Sequence, residues 1–446
     1  MMTSLRIVVP VLNEGIALGP RLAALRPLRE RGAQLVVVDG GSADETWLVA
    51  SRLADEVRIA PAGRAAQMNT GARNCAADVL LFLHADTTLP ARADEAIARA
   101  VDSGALWGRF DVLIDSRRPL LRLVAGLMNL RSRWTGIATG DQAIFVRRDV
   151  FQAVGGFPEI ALMEDLALSA CLRRRAAPAC LRPAVVTSAR RWESQGVLRT
   201  IALMWTLRLR YFLGDDPQIL ADRYGYRRRP PAASAAIAVM AKAPVAGLAK
   251  TRLAPAIGLR AAARMQREFT LDTLRVARAA ALGPLRLWCA PDDEHRLFRA
   301  LRRRCSVDTS AQARGDLGQR MQAAVEHHFS TTPQLPLLLV GTDCPLLSPG
   351  QLQAAARALL RHDAVLIPAE DGGYVLLGLR QPLQEVFANV AWSTPQVLEQ
   401  TRERLRTAGA SWCELGPLWD VDEAPDWRRY RELLGAASVS PREVHA

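Results

Sequence analysis

Short apolar runs recur along this chain, and nearly every one stops at a glycine, an acid or both. Leu5 to Val11 is the first, closed by Asn13-Glu14-Gly15. Gln34 to Val38 is the second and ends in Asp39-Gly40-Gly41-Ser42-Ala43-Asp44; Glu56 to Ala60 is a third and leads into Gly63-Arg64-Ala65-Ala66-Gln67-Met68-Asn69. The most apolar, Val79 to Leu89, reads as one buried strand and is broken at His84-Ala85-Asp86. Runs without polar alternation suit a parallel sheet covered on both faces. With helical stretches between them, as from Gly15 to about Arg31, they predict a doubly wound α/β sheet. Such sheets bind ligands beyond the carboxyl ends of their strands, so the acids at those ends are the first candidates for chemistry.

The pattern starts again after Tyr226-Arg227-Arg228-Arg229-Pro230-Pro231-Ala232-Ala233-Ser234, where charge, two prolines and small residues cannot continue a helix. Ala235 to Ala241 is the next strand, Gly315-Asp316-Leu317-Gly318-Gln319 opens a helix, and Pro336 to Val340 ends in Gly341-Thr342-Asp343. The expected organisation is a domain over 1–229, a linker over 230–234 and a second domain over 235–446. Both are α/β with a Rossmann-like, doubly wound mixed sheet. A length of 446 residues is too much for one ordinary core and agrees.

Charge changes the picture a little. The formal charge is +13, which suits anionic partners, but two lysines stand against 56 arginines, the mark of a compositional bias. No zinc finger or RNA-binding signature accompanies it, so nucleic acid is not expected. Seven scattered cysteines and a start that runs directly into a strand predict a cytoplasmic protein without a signal peptide. Arginines interrupt Leu120 to Leu130 and Val197 to Leu213, so neither is a membrane span. Peripheral contact with the inner face of a membrane stays open, because Trp205, Leu207, Leu209, Tyr211 and Phe212 interleave with Arg208 and Arg210. The oligomeric state is not set by any of this.

Residue chemistry narrows the strand ends. Asp44 or Ser42 can cap the helix that follows, and Gly40 lets backbone approach a ligand, although an Asp-Gly-Gly-Ser turn also serves as a plain connection. Arg64, Gln67 and Asn69 at a helix start can meet a diphosphate or a base. Asp86 can hold a divalent ion bridging two phosphates, for which Mg2+ or Mn2+ prefer oxygen ligands. Glu164-Asp165 can supply a general base or simply place acids at the positive end of a helix. Arg191 and Trp192 can line a phosphate or sugar site or form a surface turn. Both lysines of the chain, Lys242 and Lys250, share one glycine-containing loop with Arg252, which suggests a compact ammonium beside a phosphate. The loop lacks the Gly-Lys-Ser/Thr ending of an ATPase loop. Asp343 with Asp420 or Asp422 can share a metal, and Asp371 lies in another acidic turn.

In order, PVLNE at Pro10 to Glu14, DGGSADET at Asp39 to Thr46, GRAAQMNTGA at Gly63 to Ala72, LHAD at Leu83 to Asp86, GDQAIFVRR from Gly140 and MEDLAL from Met163 resemble the family 2 glycosyltransferases, whose nucleotide-binding half has the GT-A fold. The resemblance implies transfer of a sugar from a nucleotide-diphosphate sugar to a small-molecule or lipid-linked acceptor. It places Pro10, Asn13, Glu14, Asp39, Gly40, Ser42, Asp44, Arg64, Gln67, Asn69, Asp141, Gln142, Arg191 and Trp192 at the donor. It also makes Asp165, beside Glu164, the base of an inverting reaction and Asp86 the metal ligand; His84 stands where the usual Asp-X-Asp has its first acid. MAKAPVAGLAKTRL, GDLGQRM, GTDCP, EDGGY and DVD in the second half are similar to a bacterial GT-A-like family of the DUF2064 type, related in fold to guanylyltransferases of molybdenum-cofactor and cobalamin synthesis. This implies a nucleotide at Lys242, Lys250, Arg252 and Asp371 and a metal at Asp343 and Asp422. Families like the two halves occur together, named for radical-SAM enzymes and arsenosugar formation. The expectation is a tandem or bifunctional glycosyltransferase; the alternatives give the second half nucleotidyl transfer or a non-catalytic binding role.

Overall fold

The computed structural model describes residues 3–225 and 233–438, except the side chains of Arg191, Ser194, Gln195, Leu198 and residues 436–438. Much of the expected 230–234 linker lies outside that range. The chain divides into two compact units, one of Met1–Arg229 with Gly435–Ala446 and the other of Pro230–Leu434.

The first unit holds β1 (Leu5–Val11), β2 (Gln34–Asp39), β3 (Glu56–Ile59), β4 (Val79–Phe82), β5 (Thr87–Thr88), β6 (Trp107–Asp115), β7 (Ile144–Arg147) and β8 (Ala179–Ser188). They form one sheet in the order β3-β2-β1-β4-β7-β6-β8-β5. The strands β3, β2, β1 and β4 run parallel, β7 is antiparallel to both β4 and β6, and β8 is parallel to β6. Every residue of β1 and β4 is buried, as apolar runs without alternation require. Ile7, Val9, Leu35, Val37 and Leu81 fill one face of the sheet, and Val8, Val36, Val38, Leu80 and Phe82 fill the other. On the second face the helix Arg64–Ala72 lies so close that a Cβ on Gly71 would sit 2.3 Å from a Val8 methyl.

Two local expectations change. The run from Val79 to Leu89 is not one strand: Leu83 still bonds to Val8 at 3.0 Å, then the chain turns at His84-Ala85-Asp86 and pairs as β5 with β8 at the far edge. An apolar run cannot show where the neighbouring strand ends, and that ending is what releases the turn. The helical stretch from Gly15 is broken into Gly15–Ala17, Leu18–Ala23 and Arg26–Glu30, the last opening with Pro27, which has no N–H to continue the preceding turn.

The second unit holds β9 (Ala236–Lys242), β10 (Leu285–Ala290), β11 (Asp308–Ala311), β12 (Leu337–Val340), β13 (Ala364–Pro368), β14 (Tyr374–Leu379) and β15 (Trp412–Glu414). Their order is β11-β10-β9-β12-β14-β13-β15. Position by position this is the first sheet without its outermost strand, with the same sense at every neighbouring pair. Both units are therefore the mixed α/β sheet expected of GT-A-like domains, reached by sequences that do not repeat. In each, the fourth strand in the chain order ends in a turn bearing an acid: Asp86 after β4 and Asp343 after β12.

Candidate active site

At the carboxyl end of β2, Asp39 is wholly buried. Its Oδ1 accepts from Ser42 Oγ at 2.6 Å, Ser42 N at 2.9 Å and Gly41 N at 3.2 Å, while Oδ2 is buried with no partner among the described residues. Burial pushes this carboxyl up to about 6 against the pull of the Ser42 bonds. The residues around it shape the loop. Gln67 donates to Val11 O and Val38 O, both at 2.8 Å, and lies so near Gly40 that an added Cβ would be 3.2 Å from its amide nitrogen, a tight fit. Asn13, at φ 52, accepts from Ala43 N at 2.9 Å. Glu14 pairs with Arg21, which also reaches Ala85 O at 3.1 Å and so ties the first loop to the His84-Ala85-Asp86 turn. Asp44 accepts from Thr46 N at 3.1 Å, and Pro10 lies inside β1 opposite Val38.

The next strand ends converge through backbone. Gly140 N donates to Asp165 Oδ2 at 2.8 Å and Leu166 N to Asp165 Oδ1 at 2.8 Å. Gly140 also packs against His84, where an added Cβ would lie 2.2 Å from the imidazole, and His84 Nδ1 meets Asp141 Oδ1 at 3.2 Å. Asp165, Gly140, His84 and Asp141 thus form one contact chain beside Asp86. Asp141 would be raised by desolvation, but the bond and charge of His84, with Arg64 and Arg208, hold it below the usual carboxylate range. Glu164, buried at the first turn of the helix Glu164–Arg173, is raised well above that range by burial and by Asp165, with Arg64 opposing. Two carboxylates in sequence are thereby held differently: Asp165 is fixed by two N–H groups, and Glu164 is buried and raised to about 7.

Sequence reasoning missed Arg131 and Arg208. They sit in the helices Pro119–Thr135 and Val197–Phe212, and the Nε of each is buried without a partner among the described residues. Burial lowers both, Arg131 to about 10, while the charge of Asp165 opposes the shift at each. The available signal was a basic residue on the inward side of each helical stretch. Other expected donor residues serve the scaffold. Asn69 uses both ends of its amide on the Phe157 backbone, at 2.8 and 2.9 Å, and buried Gln142 closes a capping box with Thr139. Trp192 packs with Ile114, Leu121 and Val197, and the Arg191 side chain lies outside the described residues. Asn69 and Gln142 thus each spend one donor and one acceptor on the scaffold, and a nucleotide there would have to use what remains.

Among the described residues, no three His, Cys, Asp or Glu side chains make a ready cage for a metal. Among the described residues the half-buried carboxylate of Asp86 receives only a 3.4 Å contact from Thr87 Oγ1, so it fits an ion whose remaining ligands are phosphate oxygens and water, the common arrangement for Mg2+.

In the second unit Lys250, at φ 49, turns its ammonium inward. It donates to Val421 O and Asp422 Oδ1, both at 2.8 Å, and pairs closely with Asp343; the Phe269 ring lies 5.6 Å away. Burial lowers Lys250, but Asp343 and Asp422 outweigh it and leave the ammonium firmly charged. All three donors of the ammonium have protein acceptors, so a phosphate at Lys250 would have to displace one of them. Asp420 is pushed up to about 7 by burial and then by Asp422, Asp371 and Asp343. The ammonium occupies the position between Asp343 and Asp422, so a divalent ion there would have to use their outward oxygens. Asp371 accepts from Gly373 N at 2.9 Å in an exposed turn, and Lys242 and Arg252 are exposed.

Residues 6–152 match the family model described as glycosyl transferase family 2, and residues 273–394 match the model of DUF2064, described as an uncharacterized protein conserved in bacteria. A search of curated proteins gives no match. Among solved structures, a Desulfovibrio desulfuricans G20 protein provisionally named a nucleotide-diphospho-sugar transferase is 27% identical, with 46% of this chain and 99% of that one covered at a TM-score of 0.40. S. aureus TarS 1-349 in complex with UDP-GlcNAc is 15% identical, covering 42% and 58% at 0.35. The mannosyltransferase PcManGT from Pyrobaculum calidifontis, in complex with GDP-Man and Mn2+, is 20% identical, covering 51% and 66% at 0.34. The two family matches thus fall in different stretches of the chain, residues 6–152 being similar to glycosyl transferase family 2 and residues 273–394 to DUF2064.

Proposed function

We propose that the first unit transfers a glycosyl group, with inversion, from a nucleotide-diphosphate sugar to an acceptor hydroxyl. The observation that carries this reading is the contact chain from Asp165 through Gly140 to His84, which sets a fixed carboxylate beside the turn that bears Asp86. Asp165 takes the acceptor proton, the acceptor oxygen bonds to the anomeric carbon, and the bond from that carbon to the diphosphate breaks. Its two backbone N–H partners orient the carboxylate and leave lone pairs for the proton. Mg2+ or Mn2+ at Asp86, when bound, supplies charge neutralisation for the diphosphate. The partnerless Oδ2 of Asp39 suits an N–H of the base, because a buried oxygen without a donor gains most from one.

For the second unit, the shared strand order and the acids Asp343, Asp420 and Asp422 support nucleotide binding with a divalent ion.

Donor hydrolysis tests the first reading. With a panel of nucleotide sugars and Mg2+ or Mn2+, wild type should turn over at least one, Asp86→Asn should lose metal dependence, and Asp165→Asn should fall by about 100-fold or more. No turnover of any donor, or full activity in both variants, would refute it. Calorimetry tests the second unit: metal-dependent nucleotide binding that survives Asp343→Asn and Asp422→Asn together would remove those acids from the site.

A further inference from the structure

We propose that the outer faces of the helices Pro119–Thr135 and Val197–Phe212 dock on an anionic lipid bilayer. On the first helix Leu120, Leu123, Leu127, Leu130 and Trp134 fall at helical spacing on one side, and all are exposed, Trp134 to 82%. Leu121, Ala125 and Ser132 occupy the opposite side and are buried, so the outward stripe is surplus to the core. On the second helix Trp205, Leu209 and Phe212 make a similar stripe, continued by Leu213 at 74% exposure, while Leu207 turns inward. The helices are neighbours, since Leu121, Val124 and Ala125 share a cluster with Val197 and Ile201. Each helix therefore turns an apolar stripe outward while its inner side joins the shared cluster. Isolated exposed apolar residues are ordinary, but a contiguous, helix-spaced set of Leu, Trp and Phe marks an interaction surface.

The charge selects the partner. Residues 117–135 hold five arginines and no acid, and residues 197–213 hold three arginines and no acid. Arg133 and Arg210 pair with Asp111 and Asp215, and Arg131 and Arg208 turn inward. Arg117, Arg118, Arg122 and Arg199 are left exposed beside the stripes, with no carboxylate partner among the described residues. Apolar stripes flanked by unpaired arginines fit the boundary between headgroups and acyl chains, where basic side chains meet lipid phosphates. No helix among the described residues is long and apolar enough to cross a membrane, so the contact is in the plane of the surface. The second helix also touches the catalytic end of the unit: Leu203, Leu207 and Tyr211 pack with Leu162, Met163 and Leu166, around Glu164 and Asp165. A bilayer on its outer face lies about one helix diameter, roughly 10 Å, from those carboxylates.

The test is sedimentation of the full chain with vesicles of phosphatidylcholine, with and without phosphatidylglycerol, and with brominated lipid to quench tryptophans that enter the acyl region. The expected results are binding to phosphatidylglycerol vesicles, weakening with salt, and quenching. Binding should drop about ten-fold in Trp134→Ser/Trp205→Ser, with the melting curve and donor hydrolysis in solution unchanged. Absence of binding at low salt, binding without quenching, or binding equal in the double variant would overturn the proposal. So would a concentration-dependent dimer that the double variant abolishes while vesicle binding persists, which would assign the face to a second copy. Because the readout is sedimentation, it fails or succeeds independently of the catalytic reading.

Discussion

Asp39→Asn should make the ligand-free protein more stable at neutral pH and at the same time weaken its nucleotide binding. The wild-type carboxyl is raised from 3.8 to about 6, so keeping it ionised at pH 7.5 costs about 3 kcal/mol, an upper figure for a buried group. The sign follows from proton counting. Between about pH 4 and 6 the folded state holds a proton that the unfolded state has released, so stability falls as pH rises through that window and levels off above it. Asparagine removes the charge and keeps an oxygen for Ser42 and Gly41, but places an unpartnered amide where Oδ2 was, at about 1 kcal/mol. The net expectation is a gain of about 2 kcal/mol at pH 7.5 and a shallower fall of stability from pH 4 to 6, the part due to Asp39 being gone. Losing an acceptor for the base should weaken nucleotide binding about 10- to 100-fold, as for a hydrogen bond to a charged group. Calorimetry of the full chain across pH, in which one of two transitions moves, reads the first effect, and titration with nucleoside diphosphates reads the second. A variant that is less stable at pH 7.5, or keeps the wild-type slope, refutes the burial argument. A variant with unchanged affinity refutes the role of Oδ2.

Lys250→Met leaves the partly exposed Asp343 and Asp422 without their cation and should cost the second unit about 1–2 kcal/mol at neutral pH. Millimolar Mg2+ should then raise the melting temperature of the variant more than that of wild type; equal shifts would show that the acids do not need a cation. Gly140→Ala puts a Cβ 2.2 Å from the His84 ring and should lower donor hydrolysis at least about ten-fold, for about 1–3 kcal/mol of stability. Full activity would mean that the placement of His84 is immaterial. Gly71→Ala meets Val8 at 2.3 Å and should destabilise by about 1–3 kcal/mol, whereas Gly126→Ala, with open space around it in a helix, should stabilise by about 0.5–1 kcal/mol. Denaturant midpoints of the pair compare the two directly.

The strands of both sheets were legible because a strand buried on both faces must be apolar throughout, and the runs at Leu5, Gln34 and Leu337 could do little else. The acids at their ends were legible for a related reason: a charge directly after a buried run marks where the sheet meets solvent. What the acids touch was not, because it depends on which strand ends are neighbours in space. Sequence offers Asn69, Gln142 and Lys250 as free polar groups, and only the packed chain reveals that Phe157, Thr139 and the pair of Asp343 and Asp422 have already engaged them. Arg131 and Arg208 look like interruptions in apolar helices until the helices dock and turn them toward Asp165. The pattern of residues determined two α/β units and the edges where their chemistry lies. The tertiary structure decided the pairings at those edges, since hydrogen bonds and burial are made between segments far apart in the chain.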